Sequence, residues 1–262
     1  MSSATLQPPG VFKLLGHEIR WNIVTLLTHS DYCGQELVRL LRQPQNLLSY
    51  HLQLLHSQGV VTERRSTADE RSIYYSLDLD TLRTLYFASA DALHPALHMP
   101  QQELQELKMH LPRKQVRVLF LCTHNSARSQ MAEGILRHLS KGSIEVYSAG
   151  SIPTSTHPLA IQVLSTMGID SSQQRAKHMD EFKGQSFDYI VTVCDRLHEA
   201  CPTFPGDPEQ IHWSFSDPVT AEGSEQERSR AFEQVALQLT TRIRYLLILI
   251  ERKYGKMGDK SV

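Results

Sequence analysis

At 262 residues the chain is long for one domain and predicts about two. Its 27 basic and 28 acidic side chains leave a net charge of −1, and residues 1–112 hold nine Lys plus Arg against eleven Asp plus Glu, so nonspecific electrostatic affinity for DNA is expected to be modest and a dimer is needed to gather phosphate contacts. The apolar run 246–250 is far too short to span a membrane and residues 1–10 lack a secretory pattern, which points to the cytoplasm, where the four cysteines stay reduced.

Apolar residues at helical spacing occupy 12–27. Gly34 then leads into a helix over 35–41, and Pro44 opens another that carries Leu47, Leu48, Leu52 and Leu55. After Gly59, Val60-Val61 and 73–77 read as strands flanking the charged turn 64–71, and 79–93 reads as a helix. Helix, helix, turn, helix and hairpin make residues 1–93 a mostly α winged helix-turn-helix. In such a module the second helix of the motif lies in the major groove and the wing crosses the phosphates. By position Gln43, Gln45, Asn46, Ser49, Tyr50 and His51 face DNA, while Arg64, Arg65 and Arg71 on the wing meet its backbone. Taken singly, each of these is equally readable as a solvated surface residue. Prolines at 95, 100 and 112 bracket a short polar helix, and 94–114 is the expected linker.

In the second domain, 115–262, the segment 116–121 reads as a buried strand, and 129–139 sets Met131, Ile135, Leu136 and Leu139 at helical spacing. The loop between them, Cys122, Thr123, His124, Asn125, Ser126, Ala127, Arg128 and Ser129, therefore opens a helix. Amides of a loop curled before a helix N-terminus form a concavity for phosphate or an anion of its shape, arsenate among them. A thiol of ordinary pKa about 8.5 is lowered there, so Cys122 is expected to be an ionised nucleophile. Arg128 offers a planar fork to two oxygens of a tetrahedral anion. The bland alternative is an inert buried cysteine beside a surface arginine. Cys194 ends the apolar strand 189–193, and Cys201 follows across D-R-L-H-E-A. This pair reads as redox thiols, as two small buried residues, or as part of a metal site; the wide gap and the spacing of His198 and His212 support zinc only weakly. The run C-P-T-F-P-G suits a loop able to rearrange. Residues 220–230 form a polar loop, and the last helix, 225–253, puts Phe232, Val235, Ala236, Leu239, Ile243, Leu246, Leu247 and Ile250 on one side.

Residues 115–255 resemble the low-molecular-weight tyrosine phosphatase superfamily, in its branch of thioredoxin-coupled arsenate reductases. The resemblance is carried by C-T-H-N-S-A-R-S, Q-M-A-E-G at 130–134, S-A-G at 148–150 and D-P at 217–218. It implies an α/β fold with a four-stranded parallel sheet. Hydrolysis needs Cys122 alone, whereas reducing As(V) to As(III) takes two electrons, which two thiols supply. The resemblance thus implies attack by Cys122 on arsenate, Asp217 as general acid, and a relay in which Cys194 attacks Cys122 and Cys201 attacks Cys194, with thioredoxin as reductant and no tightly bound cofactor. From sequence position alone Asp217 is equally a turn-former. The resemblance also admits a potassium ion near Asn125 and Ser148, which otherwise organise the loop by hydrogen bonds.

Residues 10–90 resemble the ArsR family of metalloid-responsive repressors, through F-K-L-L-G at 12–16 and Y-H-L-Q-L-L-H-S-Q-G-V-V at 50–61. This implies operator DNA as partner and a homodimer through 12–27 and 79–93. Many members bind arsenite with C-x-C at the start of the motif; here Cys33 stands alone and Gln35 fills the second place. Pro95 between His94 and His98 likewise removes a helical zinc pair, so no metal site is expected. Sensing is then expected to run through the second domain. A phosphatase in place of the reductase, or a domain serving only as an oxyanion or redox sensor, are the alternatives.

Overall fold

A computed structural model describes residues 10–69, 71–93, 115–199 and 202–254. The chain divides into two compact units, Met1–Leu107 and Lys108–Val262. The division falls within the expected linker, 94–114, which lies outside the described residues, as does Cys201.

In the first unit α1 (Gly10–Leu15) and α2 (Glu18–Leu27) replace the single helix expected over 12–27. The break falls at Gly16-His17, where the His17 side chain accepts from the Ile19 N–H and caps a new helix. Strand β1 (Tyr32–Cys33), which the apolar pattern is too short to reveal, precedes α3 (Gly34–Leu41). Arg42 ends α3 in the left-handed region, with φ 52°. Pro44 caps α4 (Gln45–Ser57), and β2 (Val61–Arg65) pairs antiparallel with β3 (Ile73–Leu77) to form the wing. β1 adds to the other edge of β3, and α5 (Leu79–Leu93) follows. The core joins Ile23, Val24 and Leu27 of α2, Leu37 of α3, and Leu48, Leu52 and Leu55 of α4.

The second unit is a four-stranded parallel sheet in the order β5-β4-β6-β7. Its strands are β4 (Val116–Cys122), β5 (Ile144–Gly150), β6 (Tyr189–Thr192) and β7 (Glu209–His212). The helices are α6 (Arg128–Leu139), α7 (Pro158–Thr166), α8 (Asp195–Glu199) and α9 (Glu225–Tyr254). Strand β4 is internal, so its residues Val118 to Leu121 are fully buried and read as one apolar run rather than an alternation. All eight residues expected on the inner side of α9 are buried. Within 194–203 the described residues form α8 (Asp195–Glu199), and 202–204 carry neither helix nor strand. No described helix is long and apolar enough to cross a membrane.

Candidate active site

The chain leaves the sheet at Cys122 and must curl back at once into α6. Asn125 makes that turn with φ 47°, a left-handed conformation that asparagine tolerates better than most side chains. The carbonyls of Thr123, His124 and Ser126 accept from the N–H groups of Ile152, Thr154 and His157, each at 2.9 Å. A trans peptide sets its N–H opposite its C=O, so engaging these carbonyls on the outside turns the following N–H groups inward. One of them, Asn125 N–H, reaches Cys122 Sγ at 3.1 Å. Gly150 is needed here because a Cβ on it would stand 2.6 Å from the Thr123 oxygen and 2.9 Å from the Asn125 nitrogen. The sequence displays that glycine in S-A-G, but only the fold reveals its close approach to the loop.

Buried hydrogen bonds lock the turn. Asn125 Nδ2 donates to Ser129 Oγ at 2.9 Å and to Ser148 Oγ at 2.8 Å, and its Oδ1 accepts from the Lys177 N–H and from Gln130 Nε2. Ser148 in turn donates to Glu133, and Lys177 Nζ sits 3.1 Å from the same carboxylate, which also pairs with Arg137. Gln130 and Glu133 stand in the Q-M-A-E-G motif but were given no role there, and Lys177 was not singled out, since nothing local marks it as a neighbour of the loop. They also bear on the potassium ion. Both the Asn125 oxygen and the Glu133 carboxylate are already engaged, the latter by an ammonium, so these residues do not fit an added cation. Among the described residues no cluster of His, Cys, Asp or Glu is arranged to hold a metal.

Arg128, buried at the start of α6, donates from Nη2 to Asp217 Oδ2 at 2.6 Å and from Nη1 to the Phe215 carbonyl at 3.2 Å. The Asp217 carboxylate also caps the short turn after it by accepting from the Val219 N–H. Cys194, buried beyond the end of β6, lies with its Sγ 3.4 Å from Thr123 Oγ1, beside the residue that follows Cys122. Of the loop residues His124 is exposed, Thr123 is half-buried, and Ser126, Ala127 and Ser129 are buried.

The balance of influences on the Cys122 thiol runs opposite to the expected lowering. Burial pushes it above the ordinary thiol value, and Cys194 pushes the same way. The Ser129 hydroxyl at 2.8 Å, the Arg128 guanidinium and the Asn125 N–H act downward without overcoming burial. Arg128 is itself paired with Asp217.

On the winged-helix unit, Gln45, Asn46, Ser49 and Tyr50 are exposed along α4 and Gln43 is half-buried before it. Arg65 and Arg71 are exposed on the wing and Arg64 is half-buried. His51 is corrected: it is only 3% exposed and points inward. Its ring lies 4.3 Å from that of His17, with Arg20 Nη1 3.5 Å from its Nδ1. Burial first, and then the neighbouring His17 ring and Arg20 guanidinium, hold its pKa below the ordinary histidine value. Position 51 follows Leu48 by three and precedes Leu55 by four, the spacing of the buried face, and that signal was available in the sequence. Cys33 sits half-buried at the N-cap of α3, its N–H donating to Glu36 Oε2 at 2.7 Å. Its sulfur is free.

A parallel sheet whose internal strand ends in a cysteine, followed by a tight turn and a helix that opens with an arginine, defines an α/β protein. Residues 117–256 match the low molecular weight phosphotyrosine protein phosphatase family, and the chain belongs to it. Residues 17–63 match the bacterial regulatory protein, arsR family, so an ArsR-type helix-turn-helix domain is fused to the phosphatase-type domain. Over 127 residues the chain is 38% identical to the arsenate reductase of Halalkalibacterium halodurans, covering 48% of this chain and 91% of that protein. It is 39% identical over 144 residues to the arsenate reductase of Shouchella clausii, covering 54% and 96%. A solved structure described as an arsenate reductase in the phosphate binding state is 30% identical, with a TM-score of 0.42, and the match covers 52% of this chain and 98% of that one.

Proposed function

We propose that this chain is an arsenic-response protein, a DNA-binding repressor joined to an arsenate reductase that works through Cys122 and a Cys194/Cys201 relay. The observation that carries the reading is the second buried thiol, Cys194, beside Thr123 at the reacting loop. A hydrolase has no use for it.

Arsenate enters the curl of N–H groups, where Arg128 exchanges part of its contact with Asp217 for two anion oxygens. The deprotonated Cys122 sulfur attacks arsenic, and Asp217 gives the departing oxygen its proton, so that it leaves as water. Cys194 then attacks Cys122 Sγ. The S–S bond forms as the S–As bond breaks, its electron pair passes to arsenic, and arsenite departs. Arsenate plus two thiols thus become arsenite, one disulfide and one water. Cys201 attacks Cys194 and frees Cys122, leaving a Cys194–Cys201 disulfide for thioredoxin to reduce, in the reducing cytoplasm.

Operator DNA is read by Gln43, Gln45, Asn46, Ser49 and Tyr50, with Arg64, Arg65 and Arg71 on phosphates. A homodimer through 12–27 and 79–93, where Phe12 and Tyr86 are exposed, supplies the second half-site. Cys33 lacks the partner of a C-x-C site, so the inducing signal arises in the reductase domain.

A thioredoxin-coupled arsenate assay on the wild type and on C122S, C194S and C201S tests the enzyme. Turnover is expected only in the wild type, and C201S is expected to accumulate the Cys122–Cys194 disulfide after one equivalent of arsenate. Turnover on aryl phosphate alone would replace the reading with a phosphatase. Absence of both activities would leave a sensor.

A further inference from the structure

Behind the reacting thiols lies a polar cluster that the relay does not use. Asp195, next to Cys194 and first in α8, is fully buried. Its Oδ1 accepts from Ser214 Oγ at 2.8 Å and faces His212 Nε2 at 3.2 Å. The His212 side chain is also fully buried, at the end of β7, with its Nδ1 2.9 Å from Thr192 Oγ1 at the end of β6. One turn further along α8, the His198 ring stacks on the His212 ring, with centroids 4.1 Å apart and planes 11° apart. A single imidazole on β7 therefore grips α8 at two points, Asp195 and His198.

Burying a carboxylate is expensive unless it is paired and hydrogen-bonded, so the core of the sheet edge carries this group at a cost that apolar packing would avoid. Its location gives that cost a purpose. A backbone fixed at 195 fixes the position of the preceding sulfur, and disulfide formation demands tight limits on the separation and direction of the two Cβ atoms. Ser214 adds a second link. The next residue, Phe215, presents its carbonyl to Arg128, and Asp217 pairs with the same guanidinium. Ser214 thus ties to the amino end of α8, while Phe215 and Asp217 face Arg128 through contacts of their own.

We propose that Asp195, clamped by His212 and Ser214, is the positioning residue that holds Cys194 in line with Cys122 for the disulfide-forming step. The inference rests on the redox reading of the two thiols. It assigns Asp195 no contact with arsenate and no role in loading the anion onto Cys122. The two steps therefore separate in experiment.

The test is made in full-length C201S, where the relay stops at the Cys122–Cys194 disulfide. After rapid mixing with arsenate, thiols are alkylated at intervals and the disulfide is followed by mass spectrometry. In parallel, hydrolysis of para-nitrophenyl phosphate reports the loop, Arg128 and Asp217 without Cys194. D195N keeps the shape and removes the carboxylate that faces His212, and H212F keeps an aromatic ring and removes both nitrogens. Both are expected to slow disulfide formation by about tenfold to a hundredfold, the scale for a misplaced reacting group, while KM and kcat for the aryl phosphate change by less than about twofold. S214A is expected to show a smaller loss in the same step. Unchanged disulfide rates in D195N and H212F would overturn the inference, and so would parallel loss of both activities, which marks a merely structural cluster. If C201S itself forms no Cys122–Cys194 disulfide with arsenate, the redox reading fails instead.

Discussion

Around Cys122 the working side chains are buried and cross-linked, whereas those proposed to read DNA along α4 stand in solvent on a helix whose opposite face is packed. Asn125, Ser129 and Ser148 share hydrogen bonds with one another and with the segment at Lys177. Ser49 and Tyr50 are exposed. Geometry at the loop is thus part of the stability of its domain, while recognition on α4 is separable from folding. The difference follows from chemistry, because a nucleophile and its anion must be held to a fraction of an ångström and a base edge is met by a side chain that settles on contact.

Substitutions can break this comparison, and the largest effect is expected at Asn125. N125A leaves the buried Ser129, Ser148 and Gln130 groups and the Lys177 N–H short of a partner, and it puts alanine in a left-handed turn. The loss of stability is expected to be on the order of 3–5 kcal/mol. Urea unfolding measures it, and a loss below about 1 kcal/mol would show that the network is not what holds the loop. Next is H51A, which removes a packed ring from the first domain and is expected to cost about 1–3 kcal/mol in the same measurement, against less than about 0.5 kcal/mol for its exposed neighbour in S49A. Equal costs would return His51 to the DNA-facing set. S49A should instead weaken operator binding by about 1–3 kcal/mol if Ser49 meets a base, and R65A should reduce the salt slope of binding by about one, both read by fluorescence anisotropy across salt concentrations.

A subtler prediction concerns charge at the loop. Cys122 is held above the ordinary thiol value, so its neutral form predominates at lower pH, and alkylation by iodoacetamide should rise as pH climbs through that raised value. D217N removes the carboxylate that opposes Arg128, strengthens the downward pull on the thiol, and should move the alkylation profile to lower pH while impairing turnover. A profile that stays in place would mean that Asp217 does not moderate the arginine.

Much of the fold was legible because it is written locally. The apolar run of β4, the helical spacing of α6 and α9, and the glycine and proline punctuation around α3 and α4 each concern residues within a few positions of one another. The same local reasoning went wrong at 12–27, where a capping histidine split a continuous apolar pattern, and at His51, where a polar residue type hid an inward position.

The sequence by itself determined that a strand ends in a cysteine, that a short polar loop follows, and that an arginine opens the next helix, since these depend on side-chain period and neighbouring residues alone. Only the tertiary structure decided that Arg128 meets Asp217 across 89 positions, that Thr123 meets Cys194 across 71, and that Lys177 closes on Asn125 across 52. The order of strands in the sheet chooses those meetings, and a periodic pattern says which face of a strand is buried without saying which strand lies beside it.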